Sequence, residues 1–435
     1  MTTASAILEP GHSLLVQQVG AAIFALALLH TFCTRQFEVL AHRHPRHAGL
    51  LHLLGEVEVV FGLWAFVLIA AMALLQGGSA AIAYAESLHY TEPLFVFVVM
   101  VVAASKPVLF SVQRVLDAIG TGVPLPRSLV QVWLGLAVVP LLGSLVTEPA
   151  AMTLAALMLK DRVFTVGISQ RLKYGALGVL FVNISIGGTL TSYAAPPVLM
   201  VANTWNWDTA FMLVTFGWKA MLAVLLNASI MVYLLRQALV QADSASAAAA
   251  TRAAAEPAQV PLTVCLIHLA VLAGVVVLAH HPVLFMGLFL FFLGYVQAYE
   301  RHQNPLILKE GLLVGFFLAG LVVLGGMQRW WLQPLVADMP STTLFFAAVG
   351  LTAVTDNAAL TYLGSLIEGI SPQSQYMLVA GAVVGGGLTV IANAPNPAGV
   401  ALLKTGFADE SISATGLLLG ALAPTVVAAL LFFLL

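Results

Sequence analysis

Two carboxylic acids lie midway through apolar segments, at positions where hydrocarbon would penalise them. Glu148 falls in Thr147-Glu148-Pro149, within an apolar segment at about 128–159, and Asp356 in Thr355-Asp356-Asn357, within one at about 341–370. A lipid-facing helix would not tolerate either cluster, so an intramembrane acid is read first as functional. Neutral oxygen donors accompany the acids in the same segments or in Gly- and Pro-rich stretches farther on: Thr147, Thr189, Thr191, Thr355, Asn357 and Asn393. Carboxylate, hydroxyl and amide oxygens suit sodium, or calcium, better than soft metals. A carboxyl group withdrawn from water needs either a proton or a cation, so two such acids supply the minimal chemistry of cation-for-proton exchange, with sodium placed at Glu148 and Asp356. Their titration would belong to the pair. Helix capping is the competing role, because Thr147, Glu148 and Asp356 occupy N-cap positions and Pro149 a natural first helical position. An uncharged Ser, Thr or Asn would cap at lower desolvation cost, yet an acid stands in both segments, which favours ion chemistry.

The elements that must hold these acids follow from composition. Of 435 residues 60% are hydrophobic and 8% charged, with a mean hydropathy of +0.99, against about a quarter charged in soluble proteins. An all-α polytopic membrane protein is expected, with no separate water-soluble domain. Spans are read near 13–33, 50–75, 92–113, 174–204, 208–235, 261–280, 283–299, 310–327, 375–405 and 412–435, about ten in all. The first is expected to be retained as a span. The segments carrying Glu148 and Asp356 are read as re-entrant hairpins. With the N-terminus outside, nearly all Lys and Arg then fall in inner loops; only Arg329 lies outside, and Lys106 and Lys219 sit within apparent spans. Counting either hairpin as a single crossing would destroy this bias, so the charge distribution supports the topology and puts both termini outside a plasma membrane, that of a bacterial inner membrane. The net charge of -2 points to no nucleic-acid partner.

The two hairpins belong to an internal repeat. VTEPAAMT (146–153) matches VTDNAALT (354–361), and LTSYAAP (190–196) falls against LTVIANA (388–394), with Gly187-Gly188 and Gly385-Gly386 ahead of the second pair. Residues 1–240 and 261–435 form the halves, joined by an Ala-rich cytoplasmic linker at 241–260. Each half holds five spans, an odd number, so the second is inserted upside down, as in many secondary transporters. The stretches Gly187–Pro197 and Gly385–Pro397 are too rich in Gly, Pro, Thr and Asn for continuous helix. Two hairpin tips and two broken helices are therefore expected to meet near the midplane, because broken backbone survives there only in protein or beside a cavity.

Other polar groups have humbler expected roles. Lys106 and Lys219 are candidates for neutralising the acids. Glu56 and Glu58, two positions apart and so not on one helix face, are expected to line or pack. His42, His44, His47 and His52 read as a solvated basic loop, the pairs Trp205/Trp207 and Trp330/Trp331 as interfacial anchors, and Cys33 and Cys265 as packed thiols.

With paired polar-tipped hairpins followed by GGTLTSYAAPP and GGGLTVIANAPNPAG, the chain resembles the ion transporter superfamily, and within it the sodium/proton antiporter branch. The resemblance implies alternating access, sodium ions and protons as cargo without a cofactor, a lipid-embedded homodimer, and roles for Asn393 and Asn396 in ion binding, with Asn183 and Ser185 as lining residues. The carboxylate carriers of that superfamily have Ser-Asn-Thr type tips; Glu148 and Asp356 depart from them and weaken an anion reading. A sodium-coupled anion symporter stays open as the alternative. An intramembrane hydrolase is remote, since no HExxH or aspartyl signature is present.

Overall fold

The computed structural model describes residues 13–165, 167–249, 260–337 and 339–435, and all regular structure among them is helical. Helix is the only open form that satisfies its own backbone in lipid. Seven helices are long and apolar enough to cross a membrane, or eight if the pair Gly78–Ser87 and Thr91–Ala103, bent by 58°, counts as one span; Leu262–Val277, Pro282–Ala298 and Ser341–Thr352 are shorter apolar helices. Most expected spans coincide with one of these or with a broken pair, but the second begins only at Val57, after the separate short helix Ala48–Gly55, and the third stops earlier than its hydropathy suggests. Thr91–Ala103 ends at a turn through Ala104 and Ser105, and Lys106–Thr121 begins a separate helix with Pro107 in its first turn. Residues 241–249 of the expected linker continue the helix Trp218–Ala249, and 250–259 lie outside the described residues.

Both segments that carry the acids are broken at them into two helices. Arg127–Val146, which includes a five-residue π segment at Leu134–Val138, is followed after Thr147 by Glu148–Val163 packed alongside it. Ser341–Thr352 is followed by the short helix Asn357–Ser365. The two broken helices are Gln170–Gly187 with Pro196–Trp205, and Pro372–Gly385 with Asn396–Leu403. Packing is crosswise: Glu148–Val163 lies against Asn396–Leu403, and Asn357–Ser365 against Pro196–Trp205.

Buried apolar side chains gather in two large clusters, each drawn from both sequence halves. One holds most of the hairpin and broken-helix residues, from Val130 to Leu239 and from Phe345 to Phe432. The other holds the first three spans and the helices between Val271 and Met327. Helix Lys106–Thr121 joins them, with Val108 in the second cluster and Leu116 in the first. Val146, Ala150, Leu199, Met200, Ala358 and Ala359, all near the tips and breaks, bury themselves in the second cluster and form the seam between the two bodies.

Inside each body helices cross backbone to backbone. Gly178 of the first broken helix meets Gly420 of the last helix, and Gly62 of the second span meets Gly320 of Leu308–Gly325, leaving no room for a Cβ. Small residues at such crossings let helices approach where lipid supplies no hydrophobic drive. Gly178→Ala and Gly320→Ala are each expected to cost about 1–3 kcal/mol by overpacking, read as a lower thermal midpoint of the detergent-solubilised protein. Gly287→Ala, which meets open space, is expected to leave the midpoint unchanged or higher.

Candidate functional site

The first tip is built by an unusual backbone. Thr147 has φ 82° and ψ 150°, a region that is costly for a residue with a branched Cβ. Its hydroxyl is buried without a partner, and Glu148 follows as the first residue of the second arm, fully buried. Glu148 Oε2 accepts a 2.8 Å hydrogen bond from Asn393 Nδ2 in the second break, while Oε1 has no donor among the described residues. Gly188 makes room for the carboxylate, since a Cβ there would stand 2.5 Å from Oε1.

At the second tip the acid is differently engaged. Asp356 Oδ1 accepts from the N–H groups of Ala358 (2.8 Å) and Ala359 (3.1 Å), capping the helix. The cross-contact passes instead to Asn357, which is fully buried. Its N–H donates to Ala392 O at 3.1 Å, and its Nδ2 approaches Ser185 Oγ at 3.4 Å. Ser185 in turn donates to Val383 O at 2.7 Å. The amide of Asn396 folds the second break by donating to Gly386 O (2.8 Å) and Thr389 O (2.9 Å). Hydrogen bonds thus connect Glu148 with the second break, and Asn357 with both broken helices.

The result is a surplus of acceptors. Thr147 Oγ1, Glu148 Oε1, Thr352 Oγ1, Asn357 Oδ1, Asn393 Oδ1 and Asn396 Oδ1 are buried without hydrogen-bond partners among the described residues. Each such group costs about 1–3 kcal/mol of desolvation, and a dehydrated cation is the natural counterpart of oxygens that lack donors. Nothing basic compensates them. Lys219 donates to the Tyr376 hydroxyl at 2.8 Å, which donates to Phe432 O at 2.5 Å. Lys106 is half-buried at the start of its own helix, and neither lysine forms an ion pair with an acid among the described residues. Other expected lining groups serve the frame. Thr189 donates to Ile186 O and Thr191 to Ser144 O, both at 2.7 Å, and Thr355 donates to Leu351 O at 2.8 Å. Asn183 donates to Leu136 O at 2.8 Å, a carbonyl that Pro140 leaves without its helical donor, and accepts from Asn227 at 3.0 Å.

A cleft of about 320 Å³ reaches the acids from one end of the bundle, lined by Glu56, Glu58, Asp356 and Asn393 among others. Asp356 is half-buried at its wall, and Glu148 lies behind Asn393. Glu56 and Glu58, expected only to line or pack, are thus beside the site because helix Val57–Gln76 starts there. Ser144 and Thr389 escaped notice in the sequence. Ser144 donates to Gly187 O at 2.7 Å and accepts from Leu190 N–H at 2.9 Å, while Thr389 donates to Ala353 O at 2.8 Å. The repeat carried the signal: its register pairs Ser144 with Thr352, and Thr191 with Thr389. Trp207, expected as an interfacial anchor, is buried against Phe211 and Phe216. Among the described residues no three His, Cys, Asp or Glu side chains converge as a metal centre.

Helices of this length and apolarity, broken around a buried acid and amide cluster, define an integral membrane protein that handles small ions. The chain belongs to the family described as "Putative Na+/H+ antiporter", whose model matches residues 15–435. Comparison with curated proteins finds no match. Membership makes the protein a transporter, not an enzyme, with small cations and protons as its cargo.

The hydroxyls at positions 144 and 352 have opposite dependences. Ser144→Ala strips an acceptor from Leu190 N–H and a donor from Gly187 O, and is expected to cost about 1–3 kcal/mol in a thermal melt. Thr352→Ala removes an oxygen that has no hydrogen-bond partner among the described residues and is expected to leave stability unchanged or raised.

Proposed function

We propose that this protein exchanges sodium for protons by alternating access, with cation and proton competing for Glu148 and Asp356. The observation that carries the reading is Glu148 itself: fully buried, one oxygen bonded to Asn393 and the other without a donor, amid five more unpartnered oxygens on the tips and breaks. A carboxyl group so placed must be neutralised, by a proton on its free oxygen or by a cation shared with neighbouring oxygens. Loading one expels the other, and that competition couples the two gradients.

Sequence halves 1–240 and 261–435 act in this reading as inverted repeats whose hairpins enter from opposite sides, with both termini outside the plasma membrane. The two bodies meet largely through small or flexible side chains near the tips, such as Ala150, Ala358 and Met200, a seam that can slide. In the conformation described, Asp356 faces the cleft beside Glu58. A second cleft, of about 660 Å³ and including Glu92, Asn203, Arg329 and Glu368, shares no lining residue with the first. There Asn203 donates to Glu92 at 2.7 Å, and Arg329 pairs with Glu368. The first contact ties a broken helix to the span body and the second ties the second hairpin to the segment leading into it, so transfer of the acids toward that cleft would strain both. Absence of basic groups at the acids supports a cation over an organic anion. A homodimer in the bacterial inner membrane completes the proposal.

The test is proton flux in proteoliposomes under an imposed sodium gradient, followed with a pH-sensitive dye. Sodium-driven proton movement is expected with the intact protein, and a loss of at least about a hundredfold in Glu148→Gln and Asp356→Asn, since each removes the charge that trades ions (about 2.7 kcal/mol). No movement with the intact protein across several cations and pH values would overturn the proposal.

A further inference from the structure

The cleft contains an acid that the exchange chemistry above does not use. Glu58 stands in the first turn of helix Val57–Gln76, whose N-terminal end favours a negative charge. It shares the cleft with Asp356, and the two lie within electrostatic reach of each other. Glu56, on the same wall, has its charge matched by Lys309, at 3.0 Å and largely exposed. Glu58 has no basic partner at ion-pair distance among the described residues.

An acidic wall alone would be only a solvated surface. The second observation is Asn393, which also lines the cleft, is fully buried, and has its amide divided between two functions. Nδ2 donates to Glu148, which anchors the side chain, and Oδ1 has no donor among the described residues. A fixed acceptor without a donor, beside two carboxylates, calls for a cation rather than another hydrogen-bonding group. The small number of ligands and the open lining favour a monovalent ion. Lys309 neutralises Glu56, no group of three or more acids or histidines among the described residues encloses a point as a divalent metal would require, and the cleft stays open to solvent.

We propose that this cleft is a second cation site, where a monovalent cation is held by Glu58, Asp356 and the Asn393 amide oxygen before it passes to Glu148. The site rests on the exchange reading for its purpose, but not for its ability to bind. Asn393 is its inner wall: the same amide that closes the cleft toward Glu148 is bonded to Glu148, so filling the cleft and freeing the buried acid are linked through one side chain. Lys309 tunes it by cancelling Glu56.

The experiment uses the full chain and sodium chloride as probe, with two readouts: the half-saturating sodium concentration for proton flux in proteoliposomes, and equilibrium binding of radioactive sodium to detergent-solubilised protein. Glu58→Gln is expected to weaken both by about fivefold or more, and the difference should shrink as choline chloride raises ionic strength. A purely structural role for Glu58 would show no such salt dependence. Lys309→Gln, at an exposed position that threatens no packing, is expected to tighten both by about twofold or more, which keeps the test decisive if Glu58→Gln does not fold. Unchanged sodium affinity in both variants, with exchange still abolished by Glu148→Gln, would overturn the second site and leave the exchange reading standing. If the intact protein does not exchange ions, the binding readout decides: sodium binding weakened by Glu58→Gln supports the site, and binding indifferent to Glu58→Gln overturns it.

Discussion

The structure depends on how a membrane protein can afford broken helices. Main-chain groups released at Gly188–Ala195 and Gly386–Pro395 are largely withdrawn from water, so side chains from neighbouring elements satisfy many of them. Ser144 serves the first break, bonding Gly187 O and Leu190 N–H, and Asn396 serves the second, bonding Gly386 O and Thr389 O. Threonines repeat the device on each side: Thr191 and Thr389 donate to Ser144 O and Ala353 O, near the end of the first arm of their own half's hairpin. Once the backbone is accounted for, the oxygens that remain at the tips and breaks are buried without donors among the described residues.

The same constraint explains the glycines. Gly187 and Gly385 each pass so close to a carbonyl of their own hairpin's first arm, Pro140 O and Val349 O, that a Cβ would stand 2.6 Å from it. The glycine after each faces the site: Gly188 lies against Glu148 and Gly386 against Asn357 and Ser185. One glycine of each pair therefore docks the broken helix on its hairpin, and the next opens space for a polar group. Large side chains would separate the elements and replace the buried polar cluster with apolar volume.

Much of this was legible in the sequence because the repeat placed equivalent chemistry at equivalent positions. The acids, the Gly-Gly pairs and the interruptions are written in residue types that hydrocarbon does not tolerate by chance. What escaped was set by tertiary geometry. Hydropathy runs on through Val108 to Phe110, so it could not show that the third span ends at Ala103. Lys219 looks like a counter-charge in sequence, yet its partner, Tyr376, lies 157 residues away. Glu58 was discounted because helix periodicity separates it from Glu56; a cleft between two bodies gathers both regardless of helical face. Trp207 illustrates the reverse error, an interfacial residue type drawn inward by neighbouring Phe rings.

The two halves repeat chemistry without repeating its use. At the first tip the acid makes the cross-contact itself, Glu148 to Asn393, while Thr147 takes up a strained backbone and no side chain caps the helix. At the second tip Asp356 is committed to capping, and the cross-contact moves one residue on, to Asn357. A capping carboxylate is held by two N–H groups of its own helix, whereas Glu148 is held by one side-chain amide from the other half. The second acid is therefore tied to its own helix end at the wall of the cleft, and the first is tied across to the opposite broken helix. The sequence difference between Thr-Glu-Pro and Thr-Asp-Asn is enough to divide them, because the longer glutamate reaches across to the opposite break while the shorter aspartate reaches only its own helix end.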